Sequence, residues 1–291
     1  MTWMAASRLD KSEERRGDEA WVKAQWEDPG ALVLGVDPTG LVPWVADGLG
    51  FVRPAGEYVP EEHLLLGLVA DRAYFCTVAD LSDSGVSLRT VMDQLDTTEL
   101  QVAFAAAGLV GWHVDCGFCP RCGSPTLTRM AGQSKTCTGC DRELYPRVDP
   151  AVIVAVLDAE DRLLLGRQRF WAPGRMSVFA GFVEVGESLE QAVHREVAEE
   201  VGLALHSLSY LGSQPWPFPH SFMVAFAARA VESAVWLDPS EIEEARWFTR
   251  EELRDAVACA DVSLPPKTSI ARRMIQAWQA DNLDVGSTVL E

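Results

Sequence analysis

A chain of 291 residues, 48% hydrophobic and 23% charged, has the composition of a folded globular protein, with room for two domains or for one domain and an added module. Its formal net charge of −18 argues against broad affinity for nucleic acid, which clustered Lys and Arg would supply, without excluding a local basic site. The charged N-terminus lacks the apolar core of an export signal and no apolar run reaches membrane-spanning length, so the chain is expected to be cytoplasmic, with no membrane partner.

Residues 1–28 are charged and mostly polar, and are expected to form a loose lead-in. From 29 to 80 the text is strand-like, with ALVLGVD and LLLGLVADRAYFCTV separated by turn residues such as Asp37-Pro38-Thr39-Gly40. Residues 85–113 read as helical, with Thr98 and Gln101 as a capping box ahead of LQVAFAAAGLVGWH. Residues 1–113 carry no catalytic motif and are expected to be a structural, dimer-forming α/β domain.

Seven cysteines follow an uneven distribution: Cys116, Cys119, Cys122, Cys137 and Cys140 crowd together, while Cys76 and Cys259 stand alone as small hydrophobes. Cys119-Pro-Arg-Cys122-Gly and Cys137-Thr-Gly-Cys140 are two C-x-x-C knuckles, close to the four-cysteine zinc pattern. Each knuckle brings two thiolates to one tetrahedral ion, so residues 114–147 are expected to be a zinc ribbon. Four thiolates leave no open position, which makes this Zn²⁺ structural. Cys116 and Cys119 also make a C-x-x-C; the Pro-x-Cys-Gly sequence favours Cys119 and Cys122, with Cys116 as a spare thiol. The ribbon's Arg121, Arg129, Lys135, Arg142 and Arg147 give modest positive charge, so nucleic-acid binding stays an alternative to a solvated face.

The pattern changes again at 148–282, leaving 283–291 as a tail. AVIVAVLD and RLLLGRQ flank the turn Ala159-Glu160-Asp161 as a hairpin. Then comes GFVEVGESLEQAVHREVAEEVGL, residues 181–203. Ser188 and Gln191 form a capping box that starts a helix, and Gly202 ends it. Val193, Val197 and Val201 recur every four residues as a buried stripe. Glu196, Glu199 and Glu200, at i, i+3 and i+4, put three carboxylates on another face, where like charges raise each other's pKa. A divalent cation resolves that repulsion, and Mg²⁺ or Mn²⁺ prefers oxygen ligands and also grips phosphates. Glu187, just before the helix, is placed to pair with Arg195 and pin the loop. An acidic solvated face would leave the glycines and Arg195 unexplained.

The fixed positions Gly181, Glu187, Arg195, Glu196, Glu199, Glu200 and Gly202, with Val197 and Leu203 at the apolar sites, match the Nudix box, G-x5-E-x7-R-E-U-x-E-E-x-G-U. The chain thus resembles the Nudix hydrolases, metal-dependent enzymes that cleave a nucleoside diphosphate linked to another moiety. The resemblance implies an α+β fold: a Nudix α/β/α sandwich preceded by the four-cysteine ribbon and the N-terminal α/β domain.

Residues 213–221, SQPWPFPHS, narrow the substrate. They match the S-Q-P-W-P-F-P-x-S motif of the NADH pyrophosphatase branch at all eight fixed positions, and a ribbon before the Nudix domain is a further mark of that branch. Three prolines stiffen the loop and would present Trp216 and Phe218 as stacking faces, although for Phe218 a turn-filling role is an equal alternative. The resemblance implies that Phe182 stacks on nicotinamide, that Tyr145, Ile153, Gln214, Ser221 and Ala271 line the nucleotide pocket, and that Trp216 reaches a homodimer partner's site. It also places Glu244, in EIEEARWF, as a further metal-site glutamate; Glu241 and Glu243 are expected to be solvated. Glu200 and Glu244 are the candidate bases.

The implied reaction is hydrolysis of the diphosphate bridge of NADH or NAD⁺ to reduced nicotinamide mononucleotide, or its oxidised form, and AMP. Removing an NAD cap from RNA 5′ ends by the same chemistry is one alternative. A general enzyme for ADP-ribose-like compounds is a second, and a catalytically silent binding protein a third; the intact box carboxylates disfavour the last.

Overall fold

A helix, α1 (Glu19–Glu27), stands where the sequence suggests a loose lead-in. The Asp18 carboxylate accepts from the Trp21 amide at 3.0 Å and caps it. Only Val22 and Trp26, four residues apart, are buried on it, too few to show as an apolar period. Trp26 stacks on His63 at 3.8 Å and meets Phe75 edge-on at 5.2 Å, which fixes the helix to the sheet below. The computed structural model describes residues 6–283 and 285–286; residue 284 and residues 287–291 of the expected tail lie outside the described residues.

The chain divides into two units. Among the described residues, the first holds 6–148 together with Trp216–Ser221. Its main sheet has the order β1 (Leu32–Val36), β6 (Arg72–Val78), β5 (Leu64–Val69), with β1 parallel to β6 and β5 antiparallel to it. Two small pairs accompany it: β2 (Leu41–Val42) with β7 (Val86–Ser87), and β3 (Trp44–Val45) with β4 (Gly48–Leu49). A short α2 (Leu88–Val91) leads through one 3₁₀ turn to α3 (Thr97–Asp115). The capping box of α3 is Asp96 with Glu99, not Thr98 with Gln101. Asp96 accepts from the Thr98 and Glu99 amides at 2.7 and 2.9 Å, and Glu99 reaches back to the Asp96 amide. Asp96 starts the helix two residues earlier, so Thr98 already lies inside it. The same unit contains the antiparallel ribbon of β8 (Thr126–Arg129), β9 (Ser134–Cys137) and β10 (Glu143–Leu144).

The second unit is a six-stranded sheet between two helical layers. β11 (Asp149–Leu157), β12 (Leu163–Gln168), β14 (Leu205–Trp216), β15 (Ser221–Ala230) and β16 (Ile242–Phe248) run in the order β14-β15-β11-β12-β16, and β13 (Phe179–Phe182) pairs with β11. Alternation along β11 divides its side chains between two cores. Val152, Val154 and Val156 pack with Val193, Val197 and Val201 of α4 (Leu189–Val201). Ile153, Ala155 and Leu157 pack with α5 (Arg250–Ala258) and α6 (Ile270–Gln279) through Leu253, Met274, Ile275 and Trp278. Each fully buried valine of α4 contributes roughly 1.5–3 kcal/mol, enough to lock a short helix that carries repelling carboxylates on its other face. No helix among the described residues is long and apolar enough to cross a membrane.

Candidate active site and metal centre

The box helix begins and ends where its sequence indicates. The Ser188 hydroxyl accepts from the Gln191 amide, the Gln191 side chain accepts from the Ser188 amide, and Gly202 closes the helix at φ 69°, a left-handed residue. Gly181 answers a different need. A β-carbon there would fall 1.9 Å from the Glu196 carboxyl carbon, so only glycine lets the strand pass beneath that carboxylate.

Arg195 organises the loop ahead of the helix. Its Nε and Nη2 donate to the two Glu187 oxygens at 2.7 and 2.8 Å, Nη1 donates to Glu196 and Glu199 at 2.9 and 3.0 Å, and Nη2 also reaches the Phe182 carbonyl at 2.9 Å. This fork fixes three carboxylates and the end of β13 at once. Arg195 and the Glu184 amide hold the Glu187 carboxyl down to about 2.

Glu200 is the outlier of the cluster. It is 2% exposed, and its Oε2 has no hydrogen-bond partner. Burial, then the charges of Glu196, Glu241 and Glu199, push its carboxyl up to about 8. Burial also raises Glu196, against the pull of Arg195. An unpaired carboxylate in that position is costly for a fold, and a bound cation offsets the cost. Glu196, Glu199 and Glu200 therefore fit a hard divalent ion by donor type and by the orphaned oxygen.

One expectation about the following acidic run needs correction. Glu241 is exposed, as expected, and its charge also acts on both Glu196 and Glu200. Glu244 does not: its carboxylate lies 3.8 Å from Arg167 and 4.0 Å from Arg246, and Glu243 also pairs with Arg167 at 3.0 Å. The reason is strand alternation. Ala245 and Trp247 pack with the α4 core and Phe248 with the α5–α6 core, which turns Glu244 away from the box helix. The irregularity at Arg167/Gln168 returns Ile242 to the α4 core, and Glu241 stands in the turn directly before it. EIEEARWF carries no local mark of that bulge.

The residues expected around the nucleotide are placed unequally. Phe182, 57% exposed, ends β13 in register with Ala151, two pairs beyond Ala180 and Ile153. Ile153 and Ala271 are buried in the α5–α6 core. Gln214 differs from the expected pocket residue. It is fully buried, donates to the Thr268 carbonyl at 3.0 Å and accepts from the Ile270 amide at 2.6 Å, so it braces the start of α6. Tyr145, Trp216 and Ser221 belong to the first unit. Tyr145 is exposed and donates to Glu143. Trp216 and Phe218 are half-buried, packed edge-on to one another at 5.2 Å and to Phe104 at 6.5 and 5.8 Å, with the Arg89 guanidinium over both rings. They are thus a packed aromatic cluster and not a free stacking platform.

In the ribbon, the Sγ atoms of Cys119, Cys122, Cys137 and Cys140 all lie within 4.8 Å of one another, with Cys119–Cys140 at 3.8 Å and Cys122–Cys137 at 3.3 Å. A tetrahedral zinc with Zn–S near 2.3 Å needs sulfurs about 3.8 Å apart, so the set fits one ion. Hydrogen bonds from Ser124 draw the Cys122 thiol down to about 6, toward the thiolate a metal needs. Cys116 is outside the set; it ends α3, and its carbonyl accepts from Lys135 Nζ.

The NUDIX domain family model matches residues 147–273. Over 93% of its length the chain is 39% identical to the NAD-capped RNA hydrolase NudC of Mycobacterium bovis (strain BCG / Pasteur 1173P2), of which 92% is covered. It is also 39% identical to human NAD-capped RNA hydrolase NUDT12, over 64% of this chain and 43% of that protein. A crystal structure of a NUDIX hydrolase from Nitrosomonas europaea aligns over 56% of this chain and 90% of its own, at 18% identity and a TM-score of 0.45. The chain belongs to the NudC-type branch of the NUDIX hydrolases.

Proposed function

We propose that the protein hydrolyses the diphosphate bridge of NADH and NAD⁺, releasing AMP and reduced or oxidised nicotinamide mononucleotide, and that it removes the NAD cap from RNA 5′ ends by the same chemistry. One observation carries the reaction class: the buried Glu200 carboxylate, unpaired at Oε2, faces the charges of Glu196, Glu199 and Glu241 beside an arginine-clamped loop. The names of the NudC and NUDT12 relatives and the SQPWPFPHS segment support the substrate.

Glu196, Glu199, Glu200 and Glu241 would hold Mg²⁺ or Mn²⁺, which supplies charge neutralisation at the bridge and lowers the pKa of a coordinated water. The protein's own contribution is positional. Arg195 holds Glu187, Glu196, Glu199 and the Phe182 carbonyl in one arrangement, so the carboxylates need no reorganisation when substrate arrives. Glu200 is also the carboxylate assigned to take a proton from water, through the oxygen that the ion leaves free. The exposed Phe182 ring offers a face for the nicotinamide.

The four ribbon cysteines are proposed to hold a structural Zn²⁺, and the protein to act as a cytoplasmic homodimer. Product analysis tests the main reading. Incubation with NADH, and separately with an NAD-capped oligonucleotide, in Mg²⁺ or Mn²⁺ should release nicotinamide mononucleotide in its reduced or oxidised form. Intact substrate in both would reject it.

A further inference from the structure

Between Asp161 and Glu184 the chain runs 22 residues without an acidic side chain and carries Arg162, Arg167, Arg169 and Arg175, a basic stretch in a protein of net charge −18; Arg162 pairs with Asp158, and Arg167 with Glu243 and Glu244. Its centre, Arg169-Phe170-Trp171, leaves the sheet after β12. Phe170 is 82% exposed and lies edge-on to Trp171 at 6.3 Å, while the Arg175 guanidinium sits 5.1 Å over the Trp171 ring. Arg169 is exposed, and neither it nor Arg175 has a carboxylate partner among the described residues.

The display is braced on both sides. The Trp171 amide donates to the Gln168 carbonyl, and the Trp171 carbonyl accepts from Arg167. The Arg175 amide donates to Ala172, and Gly174 and Met176 are tied to Ser263 by two backbone bonds of 2.7 and 3.0 Å. Gly174 takes φ 73°, where a β-carbon would meet the Asp261 carbonyl at 2.5 Å. A segment tied this tightly holds an apolar ring in water at a standing cost, as a surface awaiting a partner does. Its place in the sheet indicates the partner. Gln168, the last residue of β12, pairs with Ile242, and the neighbouring Glu241 charge reaches Glu200. The arginine-aromatic loop thus leaves β12 at the end where its partner β16 begins, directly after Glu241.

We propose that Arg169, Phe170 and Trp171 form a binding site for the single-stranded RNA body that continues from the adenosine of a capped substrate. Phe170 stacks on a base and Arg169 neutralises a phosphate, a combination that serves single strands without reading sequence. The proposal rests on the decapping reading above.

The test compares wild type with Phe170→Ala, Phe170→Trp and Arg169→Ala on three probes: NADH, an NAD-capped RNA of about ten nucleotides, and the 5′-monophosphate RNA of the same sequence for binding alone. The alanine variants should raise KM for capped RNA about tenfold and weaken the monophosphate RNA equally, with NADH kinetics unchanged. Phe170→Trp should keep wild-type values, and Arg169→Ala should flatten the salt dependence by about 0.7 in log–log slope. Equal losses on NADH and capped RNA, no loss on either RNA, or a changed sedimentation coefficient with RNA binding intact would each overturn the site, the last by assigning the loop to a second copy of the chain. Wild type that binds the monophosphate RNA through Phe170 yet leaves capped RNA uncut would reject decapping while upholding RNA binding by the loop.

Discussion

The carboxyl group of Glu196 occupies the space that a side chain at Gly181 would need, with its carbon 1.9 Å from where the β-carbon would stand. Gly181→Ala should therefore push the Glu196 carboxylate from its hydrogen bond with Arg195 without disturbing the valine stripe on the opposite face of α4. A displacement of about an ångström at a reacting centre costs on the order of a hundredfold. We expect that loss in kcat/KM on NADH, with circular dichroism and thermal midpoint near wild type. Full activity in Gly181→Ala would mean that Glu196 is not held where the chemistry needs it.

Glu200 links pH to stability in metal-free protein. Its carboxyl stands at about 8 in the fold against an ordinary value of 4.5, chiefly through burial. Below 4.5 both states carry the proton and the fold keeps its full stability. As pH rises from 4.5 through 8, the unfolded chain releases the proton more readily than the fold, and stability falls. In chelator, wild type should melt lower at pH 8 than at pH 5, and Glu200→Gln should flatten that difference. Hydrolysis by Glu200→Gln with metal restored should fall by about 10²–10⁴-fold. An unchanged pH profile of melting would show that the carboxylate is not the buried, unpaired group described.

What was legible in the sequence was local. The α4 capping box, its valine stripe and its terminal glycine all lie within fifteen residues, and each acts through neighbours three or four positions away. The four-cysteine set was readable because knuckle spacing itself brings the thiols together. The misses depended on distant contacts or on competition between neighbouring caps. Helix α1 offers only Val22 and Trp26 to the core, so tertiary packing and not periodicity sustains it. Gln214 reads as a polar group ready for a ligand, but its partners lie 54 and 56 positions away. Thr98-x-x-Gln101 satisfies the capping pattern as well as Asp96-x-x-Glu99 does, and only the geometry of the helix start decides between them.

Glu241 stands in the turn just before β16, and Glu244 lies three positions on, within the strand. Glu241→Gln should lower kcat/KM at least tenfold and raise the Mg²⁺ or Mn²⁺ concentration needed for half-maximal rate, since it removes one carboxylate from an oxygen-ligand site. Glu244→Gln should stay within about threefold of wild type, because Glu244 pairs with Arg167, at a long 3.8 Å, and not with the box carboxylates. Metal titrations of the two variants side by side provide the check. The reverse ranking would return the metal role to Glu244.

The ribbon makes a prediction independent of catalysis. Its three strands are short, and among the described residues the four cysteine sulfurs form one tight cluster at its end. If one Zn²⁺ joins them, metal analysis should give one zinc per chain. Cys122→Ser should lose that zinc and destabilise the first unit, since structural zinc binding contributes directly to folding. Cys116→Ser should retain the full zinc content, because that thiol lies outside the cluster. Removing zinc with a strong chelator should expose the otherwise buried Cys119 and Cys137 to a thiol reagent, and stoichiometric zinc should protect them again. Zinc content that drops to zero in Cys116→Ser and stays at one in Cys122→Ser would shift the ligand set to the first C-x-x-C pair. Equal reactivity of the thiols with and without metal would mean that the cluster holds no ion at all.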